Sequence, residues 1–87
     1  MADAATLNKV LTNAYQEIIT GACMITLEKG SDVRIHAGSS PPDVDTLAFH
    51  GMSTLNSPFS YSGGLKIYAR IADKAFGRET SISYTGV

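Results

Sequence analysis

The sequence predicts an all-β fold: a small antiparallel β-sandwich of jelly-roll or immunoglobulin-like type, or a partly closed barrel. Three observations carry this expectation. From residue 22 onward apolar side chains recur at alternate positions, which places them on one face of an extended chain. Glycine and proline clusters break these runs at the short intervals typical of sandwiches and barrels. Apolar residues make up 44% of the chain and charged residues only 17%, enough for a core and too little charge for a disordered tail. At 87 residues, the expectation is a single domain spanning 1–87, since two halves of that length would each lack a core.

The N-terminal stretch is open to two descriptions. Leu7, Val10, Leu11 and Ala14 match the i, i+3, i+4, i+7 spacing of a helix that Asp3 or Thr6 would cap. Cut at Asn13, the same stretch gives two short strands, 9–12 and 15–20. The β-rich Ile18, Ile19 and Thr20 ending at Gly21 favour the strands, with residues 1–14 forming either a strand, a short helix or an extended arm.

Next come two alternating runs. In 22–28, Cys23, Ile25 and Leu27 share a face; in 32–37, Val33, Ile35 and Ala37 do. Gly30 and Ser31 lie between them, and a short connection with one residue free to take positive φ predicts a hairpin. Segment 38–45 reads as a loop, because Pro41 and Pro42 lack amide donors and no ladder runs through them. After the turn signal of Gly63 and Gly64 comes the longest strand, 65–72, with Leu65, Ile67, Ala69 and Ile71 on one face. Residues 73–78, containing Gly77, read as a turn, and 80–85 as a closing strand. The whole makes seven or eight short strands.

Several function classes are disfavoured. The net charge of −1 and pI near 6.0 offer no basic field for nucleic acid. The longest apolar run falls far short of the roughly 20 residues that span a bilayer, and no basic leader precedes an apolar stretch. No membrane partner is expected. Cys23 is the only cysteine, which excludes an intrachain disulfide and a multi-cysteine metal site.

Catalytic constellations are thin. His36 and His50 lack the helical pairing that sets two metal ligands on one face. Asp43 and Asp45 have the spacing of paired carboxylates, but a calcium loop gathers more oxygen donors than two. Cys23 alternates onto the apolar face, where a thiol acts as a small hydrophobe. Gly51-Met52-Ser53-Thr54-Leu55 lacks the second glycine of a nucleophile elbow, and Gly63-Gly64 leads into a strand without the end of a phosphate-binding loop. The chain is expected not to be an enzyme and to carry no metal and no cofactor.

Two surfaces are more informative. Residues 46–65 hold no Asp, Glu, Lys or Arg, yet contain Phe49, His50, Met52, Leu55, Phe59 and Tyr61 among small polar residues. Charge depletion with aromatic and Met enrichment is the composition of a contact surface, so Phe49, Met52, Leu55, Phe59 and Tyr61 are candidate interface residues. The same segment would also serve as a lid folded over the sandwich. The second surface combines Arg34 and His36 from one strand with Lys66, Tyr68 and Arg70 from another. If those strands are neighbours, the five form a candidate ligand face of cations and rings. Acidic residues outnumber basic ones up to residue 45 and the reverse holds afterwards, which suits side-by-side association.

One resemblance follows from particular residues. Tyr15-Gln16-Glu17-Ile18-Ile19-Thr20-Gly21, Val33-Arg34-Ile35-His36-Ala37-Gly38 with Ser39-Ser40-Pro41-Pro42, and Gly63-Gly64-Leu65-Lys66-Ile67-Tyr68-Ala69-Arg70 together resemble small virion proteins of tailed bacteriophages. In those, a V-R-I/V-H-x-G strand precedes a small-residue and proline loop, and a K-I/V-Y/W-A-R strand follows a glycine turn. The similarity spans roughly residues 15–85. It implies a structural role in the virion as a capsid decoration or cement protein, or a tail or fibre component. Such a protein would act as a homo-oligomer touching copies of itself and major capsid or tail proteins, with no cofactor. A different class, a carbohydrate- or receptor-binding module using Arg34, His36, Tyr68 and Arg70, is the alternative.

Overall fold

A computed structural model describes residues 6–30, 32–43, 45–53, 58–72 and 79–86. They form eight strands: β1 (Thr6–Val10), β2 (Gln16–Thr20), β3 (Cys23–Lys29), β4 (Asp32–Gly38), β5 (His50–Ser53), β6 (Phe59–Tyr61), β7 (Lys66–Ile71) and β8 (Ser81–Gly86). No helix occurs among the described residues, and the N-terminal stretch forms strands, the first ending at Val10 rather than running over 9–12. The expected turn at 73–78 lies outside the described residues.

The pairing is nested. β1 lies against β8, β2 against β7, β3 against β6 and β4 against β5, all antiparallel. Further β3–β8 and β4–β7 ladders join them into two four-stranded sheets, ordered β1-β8-β3-β6 and β2-β7-β4-β5. This is one long antiparallel hairpin rolled into two layers, the jelly-roll order among the sandwich architectures.

The hairpin expected across Gly30 does not form. β3 and β4 belong to opposite sheets, and the Gly30 turn carries the chain across the sandwich. Both arrangements place Cys23, Ile25 and Leu27 near Val33, Ile35 and Ala37, so alternation alone does not separate them. What separates them is competition for partners: β3 is taken by β8 and β6, and β4 by β7 and β5. The crossing demands a left-handed backbone, and Gly30 has φ 92°. A Cβ there would also strike the Thr80 side chain, so backbone and packing both require glycine. Gly21, at the β2–β3 crossing, has φ 93° but open space around it.

The core lies between the sheets. Ile25 and Ile82 from one sheet and Ile35, Ile67 and Ala69 from the other are fully excluded from solvent, with Val33, Met52 and Cys23 almost so. Burying each large aliphatic side chain contributes about 1.5–3 kcal/mol. In β2 the register shifts between Glu17 and Ile19. Around this bulge both Ile18 and Ile19 join the core, a pairing that strict alternation forbids. Leu11, where the chain leaves β1, plugs one end, held by its N–H donating to the Thr80 carbonyl at 2.8 Å.

Ile67→Ala is expected to lower unfolding free energy by about 2–5 kcal/mol in denaturant titration, since Ile67 is fully buried between the sheets. Gly30→Ala is expected to lower the melting temperature more than Gly21→Ala: both incur the left-handed penalty of about 1–2 kcal/mol, and only the first collides with Thr80.

Candidate functional site

The outer face of the β2-β7-β4-β5 sheet brings the candidate ligand residues together. β4 and β7 are neighbours, with Arg34 opposite Arg70, His36 opposite Tyr68 and Gly38 opposite Lys66. The condition on which the ligand face depended is met.

The face is nonetheless not an open one. Tyr68 is 2% exposed and Arg70 1% exposed, although both point away from the core between the sheets. Tyr15, arriving on the outer side just before β2, places its ring 5.5 Å from the Arg70 guanidinium and packs edge-on against His36 at 6.2 Å. The loop after β4 folds back as well. The Ala48 carbonyl lies 2.6 Å from His36 Nδ1, and the Phe49 ring stacks on the Arg34 guanidinium at 4.4 Å. Arg70 also donates from Nη1 to the Ile71 carbonyl at 2.7 Å. Two guanidiniums opposite one another on adjacent strands repel, and each is offset by a ring face. Lys66 stays at the margin, 3.9 Å from the Glu17 carboxylate on exposed side chains, a pairing worth little.

Gly38 explains part of this local sequence. His36 and Gly38 share the outer face, and a Cβ on Gly38 would approach His36 Nε2 to 2.7 Å. The glycine thus leaves room for the imidazole to lie along the strand and reach Ala48.

The candidate interface residues scatter. Met52 is 1% exposed and faces the core, so it is not a surface residue: its strand phase turns it inward opposite Val33. Leu55 lies outside the described residues. Phe49 is committed to Arg34. Phe59 and Tyr61, on β6, are half-buried against the core cluster, and Tyr61 Oη accepts a hydrogen bond from the Leu65 N–H at 3.0 Å. The uncharged segment is therefore two edge strands, one per sheet, with a covering loop before them. His50 on β5 and Phe59 on β6 close that side of the sandwich, ring centroids 5.6 Å apart.

A second concavity was not visible in the sequence. It opens at the end of β3 and β6, with a volume of about 410 Å³, between Met24, Ser60, Tyr61, Ser62 and Thr85. Its walls are apolar with hydroxyls at intervals. Cys23 sits beneath it, 1% exposed, and burial pushes its thiol up from the ordinary 9.0. The protonated thiol is a poor nucleophile.

Comparison with family models, curated proteins and solved structures returned no match.

Two outcomes are expected. Gly38→Ala should lower stability in the parent and distinctly less in a His36→Ala background, a coupling that a double-mutant cycle in denaturant measures. Native Cys23 should resist a thiol reagent at neutral pH and react on unfolding. Because its folded pKa is raised, its contribution to stability is complete below the ordinary thiol value and is lost as pH rises towards the folded one.

Proposed function

We propose that this chain is a structural protein of a bacteriophage particle, a jelly-roll module that decorates or cements capsid or tail subunits. The observation that carries the reading is the contrast between the two outer faces. On one sheet Tyr68 and Arg70 are buried, with Tyr15 against Arg70, while Arg34 and His36 are partly covered by Phe49 and Ala48 and Lys66 stays at the margin. The other sheet, β1-β8-β3-β6, presents a middle of uncharged small side chains: Asn8, Ser83 and Thr26 in one row and Thr85, Met24 and Ser60 in the next. The Lys29–Glu79 ion pair, 3.4 Å across, is exposed at the end of this sheet.

The uncharged middle of this face has no desolvation penalty for ionic groups when a second protein covers it, and its hydroxyls can pair across a contact. The residues behind the resemblance fit a structural role. Val33 to Gly38 and Lys66 to Arg70 occupy adjacent strands, where Tyr68 and Arg70 are buried and Arg34, His36 and Arg70 contact the covering Phe49, Ala48 and Tyr15. Jelly rolls serve in viral capsid and lectin domains alike, so topology is compatible with the reading without deciding it.

The carbohydrate- or receptor-binding alternative loses Tyr68 and Arg70 as an open face. One observation still favours it: the cavity of about 410 Å³ with Ser60, Ser62 and Thr85 beside Met24 and Tyr61 is of ligand size.

In the structural role, the chain should co-purify with assembled particles at fixed stoichiometry, measured by quantitative mass spectrometry, and Thr26→Lys should lower particle binding about tenfold or more without lowering the melting temperature. Absence from particles removes the reading. Saturable binding of a glycan, abolished by filling the cavity with Ser60→Trp, would favour the alternative.

A further inference from the structure

A sandwich of two open sheets has four edges, and this chain treats them unequally. The β2 edge is broken by its bulge and carries Glu17, β6 has only three residues, and β5 has four. These are the ordinary defences against edge-to-edge pairing. β1 has five residues, all in unbroken register with β8 and free of proline and bulge, and its one defence is the charge of Lys9. It also carries Leu7 and Val10, 54% and 56% exposed.

The backbone of β1 is prepared for a partner. The Leu11 N–H donates to the Thr80 carbonyl. Antiparallel ladders alternate between bonded and non-bonded pairs, so Lys9 and Leu7 share the phase that bonds to β8. Thr6, Asn8 and Val10 then turn their N–H and C=O groups outward. Their side chains do not obstruct that edge: Thr6 Oγ1 lies 2.7 Å from Thr85 Oγ1, and Asn8 Nδ2 donates to Ser83 Oγ at 3.5 Å, both back towards β8.

We propose that β1 is a self-pairing edge, in which the Thr6–Val10 strands of two copies lie antiparallel about a twofold axis at Asn8 and merge their sheets into one. The occupant is set by register and charge. Outward groups must meet outward groups, and the full-length solution places Asn8 against Asn8, Thr6 against Val10 and Lys9 against Leu7 of the second copy. Lys9, the only charge in the strand, thereby meets an apolar side chain that covers its stem. A slip by one bonded pair towards the C-terminal end would oppose Lys9 to Lys9, and like charges directly opposite are unfavourable. A slip the other way pairs only Thr6 to Asn8, so the register centred on Asn8 is the one that engages all five residues without opposing like charges. The contact needs no particle, so it stands apart from the proposed virion role.

Sedimentation of the purified chain across micromolar to millimolar concentration tests this. The expected result is a reversible monomer–dimer equilibrium. Leu7→Lys puts two like-charge pairs into the symmetric contact and should weaken the dimer about tenfold; Leu7→Glu puts two attractive pairs there and should keep or tighten it. Simple hydrophobic clustering would be weakened by both. Asn8→Pro removes an outward N–H and none of the backbone bonds to β8, only the long, exposed side-chain bond to Ser83, so it should abolish the dimer with little change in melting temperature. Should that variant fail to fold, the two Leu7 variants decide. A chain that stays monomeric throughout, or a dimer indifferent to these substitutions, overturns the proposal. A solution dimer that never binds particles leaves it intact and removes only the virion role.

Discussion

Everything in this molecule depends on a single dry layer between two sheets. Each sheet has one apolar face, and neither could keep it from water alone; facing each other, Ile25 and Ile82 meet a counterpart surface of Ile35, Ile67 and Ala69. Because the layer is shared, the chain crosses from sheet to sheet at nearly every connection, and only the β4–β5 connection stays within one sheet. That exception matters, since a connection that need not cross is free to lie over an outer face. It supplies Ala48 and Phe49, which with Tyr15 add a partial third layer on one side of the sandwich.

Much of the strand content was legible in the sequence, because burial on one face imposes a period of two. β3, β4, β7 and β8 all announce themselves in this way, whereas β2 shows only through its β-branched run Ile18-Ile19-Thr20. Their partners do not, because the same alternation describes a hairpin and an inter-sheet crossing equally well, as at Gly30. The helical spacing of Leu7, Val10, Leu11 and Ala14 corresponds to no shared face: Leu7 and Val10 are exposed, while Leu11 is buried at the end of the core. β5 was hidden because Gly51 and Ser53 flank its one inward apolar residue, Met52. Phe59-Ser60-Tyr61 did alternate, and the absence of charge around it drew attention to surface contact instead.

The candidate ligand face was half legible. That Arg34, His36, Lys66, Tyr68 and Arg70 point to one side follows from strand phase, and strand pairing brought them together. Their cover did not follow from phase at all. Tyr15 is about twenty residues from His36 in the chain and meets it only because β2 and β4 flank β7 in one sheet. A cation on an outer face reads as exposed until the segments that fold onto it are known.

The asymmetry between the outer faces joins the separate parts of the molecule. With one face covered from within, the other is left as the surface available for contact, and β1 is an edge of that same sheet. An edge extends a sheet in its own plane, whereas a face docks along the perpendicular, so the two contacts do not compete. Pairing through β1 would place two uncharged faces side by side in a continuous surface of eight strands. A module of 87 residues whose single core yields only several kcal/mol of net stability gains from such linkage, because each contact that the folded form makes and the unfolded form cannot shifts the balance towards folding. If the proposed face docks on a partner, doubling it would convert the second docking event into an intramolecular one and strengthen attachment without a new kind of contact.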